Sequence, residues 1–173
     1  MGKAILLACI VLALVACAKA QEPKLPPLTS PEISGDRLWK RITEETDFDT
    51  YSFWPGHEGM RAGQSPHGKF HEVYINATLA GSLPLPGKVV PDGGIIVKEN
   101  FSVDKKPAGL TVMVKVRGYN PEHADWFWAK FDPGGKVLAE GKVKECIECH
   151  EGVKDNDYVI IRPLDEPLPT AKK

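Results

Sequence analysis

A period of two in hydrophobicity, broken at intervals by proline and glycine, constrains this chain more than any other feature. From Phe70 to Ala80, the residues Phe70, Glu72, Tyr74 and Asn76 alternate with His71, Val73, Ile75 and Ala77. Gly93 to Phe101 reads as a second strand. Leu110 to Val116 is a third, with Val112, Val114 and Val116 on one face. Asp125 to Phe131 is a fourth, where Trp126 and Trp128 oppose Phe127 and Phe131. Pro84-Leu85-Pro86-Gly87, Pro91-Asp92-Gly93-Gly94, Lys106-Pro107-Ala108-Gly109 and Asp132-Pro133-Gly134-Gly135 supply turns. Short strands joined by such turns predict an antiparallel sheet. Tyr158 to Ile161 is a candidate last strand. Ahead of the sheet, Ser30-Pro31-Glu32 has the form of a helix start, with Ile33, Leu38, Trp39 and Ile42 on one stripe through Glu45. The fold class is α+β: mainly antiparallel β-sheet, an N-terminal helix, and a short helix over Ala139–Glu148.

That last helix leads into Cys146-Ile147-Glu148-Cys149-His150. A C-x-x-C-H run reads as a covalent attachment site for one haem c. Two thiols add to the two porphyrin vinyl groups, and the imidazole that follows reaches the iron as an axial ligand. Cys146, Cys149 and His150 are therefore the cofactor-binding residues, with His150 the metal ligand. Zinc would call for a second Cys/His pair, and the only other cysteines are Cys9 and Cys17 near the N-terminus. A thioredoxin-like pair should open a helix in a βαβ unit, which this sequence does not resemble.

Met1-Gly2-Lys3 followed by apolar Ala4 to Ala18 has the layout of a secretory signal, with Ala18-Lys19-Ala20 as a cleavage site. Leu14-Val15-Ala16-Cys17 also resembles a lipobox, which would put a lipid on Cys17 and make it the membrane anchor. Either reading exports the chain, to the periplasm in a bacterium. Export agrees with haem c attachment. The expected organisation is a signal at 1–20, a proline-rich leader at 21–31, a haem domain at 32–162 and a tail at 163–173. With 22 basic and 23 acidic residues and no basic run, nucleic acid is not an expected partner.

The position of the motif separates kinds of cytochrome. A small electron carrier places it near the start with a methionine ligand far downstream, and no methionine follows His150. A four-helix c-prime bundle conflicts with the strand-period segments.

A sheet protein with a late haem motif resembles the cytochrome P-460 and cytochrome c-prime-beta family. The segments that carry the resemblance are Ser65-Pro66-His67-Gly68, Val73-Tyr74-Ile75-Asn76, Gly94-Ile95-Ile96-Val97-Lys98-Glu99, Asp125-Trp126-Phe127-Trp128 and the haem motif, spanning roughly Leu38 to Tyr158. The resemblance implies a mostly antiparallel β fold, often dimeric, with five-coordinate iron. It implies one of two activities. P-460 members oxidise hydroxylamine with a lysine-cross-linked haem, whereas c-prime-beta members lack the link and bind nitric oxide or carbon monoxide under a phenylalanine cap.

Lys98 is the lysine to test as the cross-link. Burial beside haem would favour the neutral, nucleophilic amine. The plainer reading is an outward-facing strand lysine beside Glu99. Lys115 is a weaker rival. Phe70, Phe101 and Phe127 are candidate caps, and Arg61 a candidate partner for a bound anion. Glu99 or Glu140 would relay protons if hydroxylamine is the substrate. His67 is a candidate pocket donor, with His57, His71 and His123 behind it. The expected activity is binding of nitric oxide or related small nitrogen ligands at an open iron site. Hydroxylamine oxidation is the alternative, using Lys98, Glu99 and Arg61 as catalytic residues. Simple electron transfer is the second alternative, with Met60, Met113 or His67 closing the site and a redox partner cytochrome. The sequons at Asn76 and Asn100 are discounted because both fall in strands.

Overall fold

The computed structural model describes residues 22–23, 25–64 and 66–169. The expected signal segment, with Cys9 and Cys17, the leader residues Gln21 and Lys24, Ser65 and the last four residues lie outside the described residues. The sheet is antiparallel with seven strands: β1 Ser52–Phe53, β2 Arg61–Ala62, β3 Phe70–Ile75, β4 Ile95–Phe101, β5 Pro107–Lys115, β6 Trp126–Phe131 and β7 Val137–Gly141. Their order is β1-β3-β4-β5-β6-β7, with β2 also paired to β3.

Alternation along the strands divides the side chains between two apolar layers, one on each face. The first contains Tyr74, Val97, Val112, Val114, Phe127 and Phe131, and it is covered by Leu38 and Ile42. The second contains Val73, Ile75, Ile96, Met113, Trp126 and Trp128, and it is covered by Ile147, Tyr158, Val159 and Leu164. Each fully buried aliphatic or aromatic side chain contributes about 1.5–3 kcal/mol through the hydrophobic effect. The alternation read from β3, β5 and β6 is therefore the alternation found.

Local chemistry moves several boundaries. Strand β3 ends at Ile75, because the Asn76 side chain accepts from Leu79 N at 3.2 Å and caps a single turn, α2 Ala77–Ala80. Asn76 and Asn100 are both buried, so neither sequon presents its amide to solvent. The β4–β5 turn lies at Ser102–Lys106, starting four residues before the predicted one, and Pro107 opens β5. Residues Ala139–Gly141 belong to β7, so the motif helix is shorter than expected: α3 spans Lys144–His150. Gly135 is required in the turn before β7. Its φ is +89°, and an added Cβ would lie 2.4 Å from the Trp39 ring. Tyr158–Ile161 forms no strand and packs as a loop instead.

The N-terminal helix begins later than Ser30. Ser34 caps α1, Gly35–Lys40, by accepting from Arg37 N at 3.1 Å, and a five-residue π-helical turn continues it to Glu45. Ser30 to Glu32 form a separate turn, with Glu32 N and Ile33 N both on the Thr29 carbonyl at 3.0 Å. The leader is not wholly a tether. Leu28 is buried in that layer, and the Pro26 carbonyl accepts from Arg41 at 2.8 Å.

Candidate functional site

Helix α3 is held to the sheet by Ile147, which enters the second apolar layer. Cys146 and Cys149 are three residues apart, so they share one side of this helix; Cys146 is half-buried and Cys149 exposed. His150 ends the helix, and its Nδ1 lies 2.7 Å from the Tyr158 carbonyl oxygen. A carbonyl can only accept, so Nδ1 carries the proton. The Nε2 lone pair is then the one offered to a metal. Burial pushes the imidazole below its ordinary pKa; the Tyr158 bond opposes this shift and the Lys98 charge adds to it. The ring is thus a neutral donor at neutral pH.

Opposite the motif stands one row of the sheet. Val73, Lys98, Thr111 and Lys130 lie directly across from one another on β3 to β6, which puts their side chains on the same face. The neighbouring row is Ile75, Ile96, Met113 and Trp128, and His71 pairs with Asn100 on the other side. His67 reaches over this face from the glycine-rich loop, its Nδ1 3.1 Å from the Thr111 hydroxyl. Burial depresses Lys98 below the ordinary lysine range, with Cys149 acting in the opposite sense. It also depresses His67 and His71, each to about 4; the charges acting with it are cationic, including Lys98 on both and Lys130 and His150 on His67. Gly63, Gln64, His67 and Lys69 border a cavity of about 600 Å³.

The family model for cytochrome P460 matches residues 39–161, most of the chain. The chain belongs to the cytochrome P460 family. It is therefore a haem-binding c-type cytochrome, of a family in which some members oxidise hydroxylamine. No curated protein matches it.

As a family member it can be asked whether its residues fit haem, and they do. A neutral histidine with Nδ1 already committed, two adjacent thiols on one helix side, and an apolar sheet face form a suitable donor set and bed. The Lys98 side chain shares the face and electrostatic surroundings of Cys149 and His150. It does not face outward beside Glu99.

Other candidates fall elsewhere. Glu99 follows Lys98 on β4, so alternation sends it to the opposite face, where burial and the charges of Asp49 and Glu72 raise its pKa. Glu140 is on that face too, accepting from Gly35 N at the start of α1. Neither carboxylate faces the motif. Phe127 is in the first layer, and Phe70 shares the parity of Glu72 and Tyr74. Phe101 lies across from Phe70, just past a β-bulge. The caps inferred from sequence are thus set on the wrong side of the sheet or at its end; Trp126, Trp128 and Met113 are the large apolar groups on the motif side.

Arg61 pairs with His71 at the sheet margin, is exposed, and donates to the Gly56 carbonyl at 2.9 Å. His57 is nearby; burial lowers its pKa, and the Arg61 charge adds to the shift. Met60 is exposed in the same loop, whereas Met113 is buried in the second layer. His123 meets the Tyr158 hydroxyl at 3.2 Å. Lys115, the rival to Lys98, is bound in a buried ion pair with Asp157 at 2.6 Å. Sequence reasoning missed the Tyr158 carbonyl, Thr111 and Lys130. A backbone acceptor has no residue signature, and the other two become visible only through strand register.

Proposed function

We propose that this protein carries one haem c, joined through Cys146 and Cys149 with His150 Nε2 as axial ligand, and binds nitric oxide or related small nitrogen ligands at the other iron face. The observation that carries the reading is the His150 Nδ1 bond to the Tyr158 carbonyl, which orients a neutral imidazole with Nε2 free to ligate. Haem, when bound, supplies the ligand affinity and one-electron chemistry. The protein's own residues do the rest. Cys146 and Cys149 fix the group, Trp126, Trp128 and Met113 keep water from the apolar side, and Lys98, His67 and Thr111 offer polar contacts at the other end. Ligand binding is preferred to oxidation because Glu99 and Glu140, the expected proton carriers, lie on the far face. Export to the periplasm through the first twenty residues is part of the proposal, as is homodimer formation.

Hydroxylamine oxidation is the second reading, favoured by one observation: Lys98 is half-buried on the motif face with its pKa pushed down by burial. A lysine so placed is a candidate for a covalent bond to the porphyrin. Protein matured in a host competent for haem c attachment should give a Soret band and a high-spin five-coordinate spectrum. Absence of the band would end the proposal. Mass spectrometry of the denatured holoprotein then separates the readings: a haem-linked Lys98 peptide, with hydroxylamine turnover to an artificial acceptor, would replace ligand binding by oxidation. A six-coordinate spectrum would point to electron transfer.

A further inference from the structure

The carbonyl that orients His150 belongs to an unusual stretch of backbone. Asp157 and Tyr158 both take left-handed conformations, with φ of +53° and +64°, although each carries a Cβ. Such residues persist where surrounding contacts over-determine them. Here the contacts converge on Asp157. Its carboxylate, 5% exposed as a residue, accepts from Lys115 Nζ at 2.6 Å and from Val90 N at 2.7 Å. Its carbonyl accepts from Trp126 Nε1 at 2.8 Å. Lys115 also donates to the Ala124 carbonyl at 2.6 Å and sits 4.5 Å from the Trp126 ring centre. Tyr158 is then the next residue, with its amide on the Val153 carbonyl at 3.2 Å.

We infer that the buried Lys115–Asp157 pair is a positioning device for the axial histidine, acting through the Tyr158 carbonyl on His150 Nδ1. A buried ion pair is weak evidence for stability, since desolvation offsets most of the attraction. Its value here is geometric. It ties Asp157, the residue before the carbonyl that accepts from His150 Nδ1, to Lys115 on β5, while Trp126 on β6 holds the Asp157 carbonyl. A shorter, straighter Nδ1–H···O bond makes the imidazole a stronger donor to the metal. Neither Lys115 nor Asp157 touches the reacting atoms. The inference rests on the haem reading above.

The test compares wild type, Lys115→Met, Asp157→Asn and a control, Leu38→Ala, which removes a fully buried side chain from the layer on the opposite face of the sheet. The readouts on ferrous and ferric holoprotein are the iron–histidine stretching band in resonance Raman spectra and the midpoint potential. With the Tyr158 carbonyl loosened, the band should move to lower frequency in both pair variants. The potential should rise, so that the ferrous-to-ferric ratio at one applied potential increases severalfold. Leu38→Ala should lower thermal stability and leave band and potential where they are. Pair variants that hold haem with unshifted band and potential would overturn the inference, and so would failure of both to accumulate as haem protein, which would make the pair structural. A wild type without a Soret band would instead defeat the haem reading itself.

Discussion

The two faces of one sheet are made from the same strands and have different work. On the α1 face, Tyr74, Val97, Val112, Phe127 and Phe131 form a layer sealed by Leu38 and Ile42, with Glu72 and Glu99 toward one end. The motif face begins in the same way, with Ile75, Ile96, Met113 and Trp128, but one row further on it turns polar at Lys98, Thr111 and Lys130. The difference is made by single-residue alternation. Lys98 and Glu99 are adjacent in sequence, and only Lys98 shares a face with His150. The comparison teaches that in such a sheet a chemical role follows the parity of a residue, and nearness in sequence to a functional neighbour counts for little.

The largest effect should come from breaking the sealed face. Leu38→Ala removes a fully buried side chain and should cost about 3 kcal/mol in denaturant unfolding. Its Soret spectrum should match wild type, and a changed spectrum would mean that the faces are coupled. Acidification should come next. His67 and His71 have folded pKa values near 4 against an ordinary 6.5, so the unfolded chain binds more protons between those values. Stability should therefore be complete above pH 6.5 and decline as pH falls toward 4. Thermal melts should show this, with a flatter profile in His67→Gln.

Lys98→Met should change the haem absorption spectrum of the holoprotein if Lys98 bonds the haem. On stability it should act by less than about 1 kcal/mol, since it exchanges a partly desolvated cation for an apolar chain of similar length. Glu99→Gln, one residue along, should leave nitrogen-ligand affinity and any hydroxylamine turnover unchanged. A turnover loss in Glu99→Gln at wild-type stability would break the division between the faces.

Much of the fold was legible beforehand because strands write their faces into the sequence. Val112, Val114 and Val116 form one stripe, and Trp126 and Trp128 oppose Phe127 and Phe131, as a period of two requires. Boundaries were less legible. Asn76 stops β3 with a side-chain cap, and Ser34 rather than Ser30 caps α1, the Ser30 region closing into a turn on the Thr29 carbonyl.

The site divides along the same line. By itself, the sequence determined the haem motif, Cys146-Ile147-Glu148-Cys149-His150, because thioether and axial chemistry demand those residue types at that spacing. It also determined that β4 carries Lys98. Tertiary structure alone decided that Lys98 faces the motif and Glu140 does not, since facing depends on the register of four paired strands. Only the folded chain could supply Tyr158 as the partner of His150, for the group that binds is a peptide carbonyl, and every residue has one.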